Sequence, residues 1–231
     1  MKRSEVNRVI AASAAAFADR SIYLPPFASW SPAEWARRGS DVLEILEAGL
    51  GWDVVEWKPG RFDEHGLVLL TLRNVAHPDA RGRTDGYAEK LLHIRRDQQT
   101  PIHCHLQKME DIINRGGGRL IVELLADPDV PGKPWALVNG RTVRAVTDRE
   151  VIVLTPGESI TLIPGVRHAF HASGDDVVAG EVSTYNDDRV DNHFVEPIER
   201  FPDLEEDTDP ARLIVADYPE LIDSIKRRTR S

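Results

Sequence analysis

The chain has 231 residues, of which 41% are hydrophobic and 29% are charged, with a formal net charge of −9. This is enough for one sizeable domain with a full core, and the acidic balance argues against a nucleic-acid-binding protein. The single cysteine, Cys104, excludes an intrachain disulfide and fits a reducing cytosol, while no apolar run approaches the length of a membrane span. The N-terminus lacks the apolar core of a secretory signal, so we expect a cytoplasmic protein that does not bind membranes.

The first 50 residues are predicted to be helical. Residues 4–18 are rich in Ala and contain neither Gly nor Pro. The Ser-Pro-Ala-Glu pattern at 31–34 predicts an N-cap Ser with Pro at the first helical position. A further helix is predicted to begin at Ser40 and to end at Gly49 or Gly51.

After residue 51 the pattern changes to short apolar runs separated by Gly, Pro, Asn and Asp. Many short strands with turn signals between them favour an all-β sandwich or barrel. The predicted strands are 66–72, 87–95, 102–106, 119–125, 141–145, 151–154, 159–163, 166–170 and 177–183. Loops are predicted at 131–134 and 173–176, and a short final helix at 219–230.

The most informative motif is His103-X-His105, followed by Lys108 and Glu110 and later by His168 behind a Pro-Gly turn. On a strand, residues two apart project from one face, so these side chains are predicted to reach a common space. Imidazoles with one carboxylate suit a divalent transition metal such as Mn, Fe, Co, Ni or Zn. A polar strand edge facing water is the alternative, and it leaves the paired lysine unexplained.

Strand periodicity refines this set. In 166–170, His168 lies on the face of the apolar neighbours and His171 on the other, so His168 is the better third imidazole. In 177–183, Glu181 falls on a face of small and apolar residues, where a carboxylate is unusual. Glu181 is therefore expected either to work at a barrel mouth or to form a buried ion pair.

These motifs resemble known proteins. The His-X-His-X4-Glu pattern and the Pro-Gly-Val-Arg-His turn resemble the two metal motifs of the cupin superfamily, with the usual Pro-X-Gly shortened to Pro-Gly. The longer run Lys-Met-Glu-Asp-Ile-Ile-Asn-Arg-Gly-Gly-Gly at 108–118 is more specific and resembles the D-lyxose isomerase family. Further similar segments are 87–90, 100–105, 180–188 and 194–202. Cys104, Leu106 and His171 depart from the bulkier or aromatic residues expected there, which affects pocket shape but removes no ligand.

The resemblance implies a mainly β fold, a cupin double-stranded β-helix barrel with N-terminal helices. It implies a single cupin-type domain over 1–231, with a helical extension at 1–50, a barrel core at 52–206 and a C-terminal segment at 207–231. It also implies a homodimer. Arg115 and the glycines of 116–118 are expected to shape a turn beside the site.

The function implied by the resemblance is aldose–ketose isomerisation between D-lyxose and D-xylulose, often extending to D-mannose and D-fructose. The cofactor implied is Mn²⁺, with Co²⁺, Fe²⁺ or Zn²⁺ as other candidates. Its ligands carry over to four residues: His103, His105, Glu110 and His168.

The reaction moves a proton from C2 to C1 through a cis-enediolate, so a base must reach both carbons. Glu181 is the candidate base, and Lys108 is the candidate to polarise the carbonyl or to move a proton between the oxygens. The reverse assignment of these two residues stays open, as does a hydride shift. Partners for the other sugar hydroxyls are expected at Lys90, Asp188, Arg189 and Glu196.

Two other classes compete with an isomerase. An Fe(II)-dependent cupin dioxygenase uses similar ligands, but its pocket should be apolar and Lys108 would have no clear task. A non-catalytic metal-binding sensor would more often carry a DNA-binding helix-turn-helix, and the N-terminal helices are not basic enough for one. The specific run at 108–118 favours the isomerase.

Overall fold

A computed structural model describes residues 1–78, 84–129, 132–185, 187–198 and 204–229. Its strands form one large sheet in which the paired strands run antiparallel. The strands are β1 (Gly51–Glu56), β2 (Gly66–Pro78), β3 (Thr84–Ile94), β4 (His103–His105), β5 (Glu110–Leu125), β6 (Trp135–Val138), β7 (Arg141–Arg144), β8 (Arg149–Leu154), β9 (Ser159–Leu162), β10 (Arg167–Thr184) and β11 (Asn192–Phe194).

Two long strands, β5 and β10, hold the sheet together because each pairs with several other strands. They pair with each other along most of their length. The other edge of β10 pairs with β4 at its start and with β3 in its second half. The other edge of β5 pairs first with β9 and then with β8. The sheet therefore bends around a shared interior.

The interior is filled by one apolar face of each strand. In the second half of β5, Leu120, Val122 and Leu124 are buried and alternate with more exposed residues, which is the two-residue period of a strand with one face on the core. Phe170 and Ala179 from β10 belong to the same cluster. Burial of this apolar area is the main stabilising contribution.

Helices cover the outside of β1, β2 and β3. Helix α1 (Arg3–Ala18) packs Val6 and Phe17 against Trp52 and Leu70 of this outer face. A third cluster joins the helices near both ends of the chain. The other helices are α2 (Pro32–Arg38), α3 (Leu43–Glu47), α4 (Phe62–His65), α5 (Asp188–Asp191) and α6 (Tyr218–Thr229), with 3₁₀ turns at Pro26–Ser29, Gly39–Val42 and Val215–Asp217. None of the helices in the described ranges combines the length and the apolar character needed to cross a membrane.

The predicted N-terminal helix is confirmed by α1, and the predicted cap of α2 is confirmed as a reciprocal capping box. The Glu34 N–H donates to Ser31 Oγ at 3.3 Å, and the Ser31 N–H donates to Glu34 Oε2 at 2.8 Å. The helix predicted from Ser40 is split instead into a 3₁₀ turn and the short α3. The final helix is confirmed by α6, although residue 230 lies outside the described part of the chain.

The strand predictions missed β1, β6 and β11. They were also wrong about 173–176, which lies inside β10 and not in a loop. Strand β1 is buried at every position because α1 covers one face and the barrel interior the other, so it lacks the alternation of a half-exposed strand. The predicted loop 131–134 lies partly outside the described residues, and its later positions are not in a strand. The proposed domain boundaries stay a prediction.

The glycine run 116–118 lies inside β5, so the expectation of a turn beside the site was wrong. Gly117 has φ +102, and a Cβ built there would lie 1.9 Å from the carbonyl oxygen of Asp176 on β10. These glycines let β5 approach β10 at the point where the pairing register shifts.

Gly117→Ala is expected to lower the free energy of unfolding by about 1–3 kcal/mol, because the added methyl group overpacks a contact with the backbone of β10. Gly174→Ala is the matched control, since Gly174 also has positive φ (+87) but no heavy atom lies within 4 Å of its built Cβ. Urea unfolding of both variants measures the difference. An equal loss in the two variants would contradict a steric role for Gly117.

Candidate active site

A cavity of about 530 Å³, including the part open to solvent, lies at one end of the barrel interior. One wall is apolar and includes Trp57, Leu69, Phe170 and Phe194. Polar and charged side chains of histidine, lysine and glutamate line the same space. The cavity therefore offers both a polar centre and an apolar surface.

Three imidazoles meet in this cavity because β4 and β10 pair with His103 opposite His168. His105 follows two positions later on β4 and points to the same side. One ligand atom from each of the three residues lies within 4.8 Å of the others. Glu110 completes the group, because its Oε1 lies 3.3 Å from Nε2 of both His105 and His168.

Main-chain carbonyls fix the protonation pattern of two of these rings. His103 Nδ1 lies 2.9 Å from the carbonyl oxygen of Pro101, and His168 Nδ1 lies 2.9 Å from that of Val166. A carbonyl only accepts, so each Nδ1 carries a hydrogen, which in a neutral ring leaves the lone pair on Nε2. This is the tautomer that an Nε2 metal ligand requires.

The electrostatics of the group also suit a cation. Burial, together with the neighbouring His168 and His105, holds the pKa of His103 well below its ordinary value, so its imidazole is neutral. Burial alone would raise the pKa of Glu110, but Lys108 and His105 beside it bring that pKa well below its usual range. Glu110 is therefore ionised at neutral pH.

The residues present fit a metal ion. Glu110 Oε1 and His168 Nε2 are buried, and within the described ranges neither has a hydrogen-bond partner. A buried polar atom left in this state costs about 1–3 kcal/mol, and here a carboxylate oxygen faces imidazole nitrogens. A divalent cation held by three imidazoles and one carboxylate would satisfy these atoms.

A buried charged chain runs from this group to the far side of the cavity. Lys108 Nζ lies 2.6 Å from Glu110 Oε2 and 2.9 Å from Glu181 Oε1. Lys90 Nζ lies 3.3 Å from the same Glu181 oxygen, since the β3–β10 register places Lys90 opposite Glu181. Each of these four side chains is less than 10% exposed. The cavity therefore places a proton donor and a proton acceptor beside the imidazoles.

Most of the predicted site residues come together. Six of them line this one cavity: Lys90, His103, His105, Lys108, Glu110 and Glu181. The seventh, His168, lies against it in the three-histidine group. Asp188 and Arg189 lie in the short helix α5, and their side chains are outside the described part of the structure. Glu196 is exposed, two residues after β11, and is not among the described residues that line the cavity.

Sequence reasoning missed several residues of the site. Asn192 and Phe194 reach the cavity from β11, which pairs with β4. Asp191, just before them, is buried and contacts the loop that carries Lys108. A three-residue strand is too short for hydrophobic periodicity to predict it. The one signal in the sequence was the spacing of Asn192 and Phe194, which are two residues apart and therefore lie on one face of a strand. Trp57 follows the missed strand β1.

Comparisons with known proteins identify the family of this chain. The family model described as D-lyxose isomerase matches residues 1–218. The chain is 42% identical over 228 residues to a D-lyxose/D-mannose isomerase of Escherichia coli O157:H7, covering 93% of this chain and 96% of that protein. It is also 42% identical over 233 residues to the D-lyxose/D-mannose isomerase of Serratia proteamaculans, covering 96% and 100%.

Solved structures agree on the fold. The L-ribose isomerase of Cellulomonas parahominis superposes with a TM-score of 0.53 at 19% identity, covering 85% of this chain and 93% of that chain. The L-ribose isomerase of Geodermatophilus obscurus gives 0.53 at 17% identity, covering 84% and 92%. The predicted mainly β cupin barrel with N-terminal helices is confirmed. The chain belongs to the D-lyxose isomerase family, a family of sugar aldose–ketose isomerases.

Proposed function

We propose that the protein is a metal-dependent isomerase that interconverts D-lyxose and D-xylulose, and also D-mannose and D-fructose, through a cis-enediolate. The observation that carries this proposal is the buried Lys108–Glu181 pair beside the three imidazoles and Glu110. The names of the relatives at 42% identity, D-lyxose/D-mannose isomerase, support the choice of substrates.

The proposed cofactor is Mn²⁺, with Co²⁺, Fe²⁺ or Zn²⁺ able to take its place. The residues that would hold it are His103, His105, Glu110 and His168. When bound, a divalent metal would supply a Lewis acid that stabilises the negative charge of the enediolate. The neutral imidazole of His103 and the ionised Glu110 suit this role.

Glu181 is proposed as the base that takes the proton from C2 and returns it to C1. Its carboxylate lines the cavity and contacts two ammonium groups, those of Lys108 and Lys90, which hold it in place. Lys108 is proposed to move the other proton, which leaves O2 and ends on O1. Asp188, Arg189, Glu196 and Lys90 remain the proposed partners of the other hydroxyls.

A dioxygenase fits this cavity less well. That class is expected to have an apolar pocket, whereas two lysines and two carboxylates lie beside the imidazoles here. A metal-binding sensor has no need for a proton donor and acceptor at the same place. A cytoplasmic location and a homodimer stay predictions from the sequence.

The test is a panel of D-lyxose, D-mannose, D-xylose, D-ribose and L-ribose, assayed with EDTA-stripped protein before and after Mn²⁺ is restored. We expect D-xylulose from D-lyxose and D-fructose from D-mannose, with activity lost on stripping and regained with Mn²⁺. L-Ribose is included because the similar solved structures are L-ribose isomerases. No ketose from any sugar, with oxygen consumed on addition of Fe(II) and a candidate substrate, would favour the dioxygenase.

A further inference from the structure

Asp191 joins two parts of the site that the chain carries on separate elements. It is the last residue of α5, and only 5% of it is exposed. Its carboxylate accepts the backbone N–H of Gln107 at 2.7 Å and that of Lys108 at 3.1 Å. Its Oδ2 also lies 3.7 Å from Nδ1 of His105. One buried carboxylate thus faces both the main chain of Lys108 and an imidazole of the candidate metal site.

The position of Asp191 is fixed by the main chain around it. Strand β11 begins at the next residue and pairs with β4, with Asn192 opposite His105. The N–H of Leu106 donates to the carbonyl oxygen of Asp191 at 3.2 Å. The carboxylate is therefore held beside β4 by backbone contacts on both sides of it.

His105 differs from the other two imidazoles in what surrounds its Nδ1. Nδ1 of His103 and of His168 donates to a main-chain carbonyl, whereas Nδ1 of His105 is buried without a hydrogen-bond partner in the described ranges. Asp191 is the carboxylate that faces it. Imidazoles that bind metal through one nitrogen almost always donate the other N–H to a carboxylate or carbonyl.

We propose that Asp191 is a positioning residue, whose carboxylate keeps the hydrogen of His105 on Nδ1 and fixes the main chain that carries Lys108. The Nε2 lone pair of His105 is then directed to the space that it shares with Glu110, 3.3 Å away. The inference rests on the proposed metal dependence. The hydrogen bond forms when the distance between Asp191 Oδ2 and His105 Nδ1, 3.7 Å here, shortens slightly.

Two substitutions separate this role from simple anchoring of the loop. In Asp191→Asn the amide oxygen still accepts from Gln107. The amide NH₂ replaces the oxygen that accepted from Lys108; it can donate to His105 Nδ1 and so drive the hydrogen to Nε2, where it blocks the metal. In Asp191→Ala both backbone N–H groups lose their acceptor, but nothing forces the wrong tautomer. If Asp191 only anchors the loop, Asp191→Ala should weaken metal binding more than Asp191→Asn does. If Asp191 sets the tautomer of His105, Asp191→Asn should weaken metal binding at least as much as Asp191→Ala does.

The experiment is a titration of metal-free protein with Mn²⁺ alone, in which free Mn²⁺ is followed by electron paramagnetic resonance. Asp191→Asn is expected to raise the Kd by about 10–100-fold, the usual effect of losing a contact behind a metal ligand. Asp191→Ala should raise it no more than that, while lowering the thermal midpoint further. ¹⁵N spectra of the metal-free protein should place the His105 hydrogen on Nδ1 in the wild type and on Nε2 in Asp191→Asn.

Asp176→Asn is the matched control. Asp176 also accepts a backbone N–H, from Arg96 at 2.7 Å, and also faces an imidazole, His93 Nε2 at 3.4 Å, but it is not among the described residues that line the cavity. Its Mn²⁺ affinity should stay within twofold of the wild type. An Asp191→Asn protein with unchanged affinity and unchanged His105 tautomer would overturn the inference alone. A wild type that binds no Mn²⁺ would overturn the proposed metal dependence with it.

Discussion

Glu181→Gln is expected to lower kcat for D-lyxose by about 10²–10⁴-fold, the usual contribution of a positioned base. The amide keeps the shape of the side chain but cannot take up a proton from carbon. Mn²⁺ affinity should change little, because Glu181 is separated from the imidazoles by Lys108. The measurements are steady-state kinetics and the incorporation of solvent deuterium at C1 of the D-xylulose product, which should disappear with the activity.

The control for this variant is Glu123→Gln. Glu123 is also a strand carboxylate paired with a cation, Arg149 at 2.7 Å, but its strand position is away from the cavity. It should leave kcat and deuterium incorporation unchanged. If Lys108→Met abolishes deuterium incorporation while Glu181→Gln retains it, the two roles are reversed. A wild-type product that gains no deuterium would indicate a hydride shift and contradict both assignments.

His168→Ala is expected to weaken Mn²⁺ binding by more than the roughly 100-fold that loss of a supporting contact can cause, because it removes a ligand itself. Turnover without added metal should fall below detection. His171→Ala is the control, since His171 lies three residues later on β10, is only half-buried, and does not belong to the three-histidine group of the described residues. Mn²⁺ titration by electron paramagnetic resonance compares the two. A similar loss in both variants would show that strand stability, not ligation, is responsible.

The centre of the site could be predicted because its signals are local. His103, His105 and Glu110 lie within one short stretch, and the two-residue period of a strand places the imidazoles on one face. The same period selected His168 over His171. Glu181 was expected either at a working position or in a buried ion pair. In the structure the two are not exclusive, because Glu181 lines the cavity while it contacts Lys108 and Lys90.

The parts that could not be predicted depend on distant contacts. Strand β1 carries two acidic residues, Asp53 and Glu56, that are nevertheless buried. Glu56 is reached by the N-terminal ammonium group of Met1 at 3.5 Å, a contact that sequence periodicity does not indicate. Asp191 was missed for a similar reason, since its partners Gln107 and Lys108 lie more than 80 residues earlier. Long-range pairing, not local propensity, decides these positions.

The two ways of fixing the imidazoles differ in their tolerance of mutation. The hydrogens of His103 and His168 are directed by the main-chain carbonyls of Pro101 and Val166, which any amino acid at those positions would still provide. His105 faces a side chain instead, so one nucleotide change in the codon for Asp191 can alter its surroundings. If Asp191 positions His105 as proposed, substitutions at Asp191 change metal affinity while the hydrogens of the other two rings stay in place.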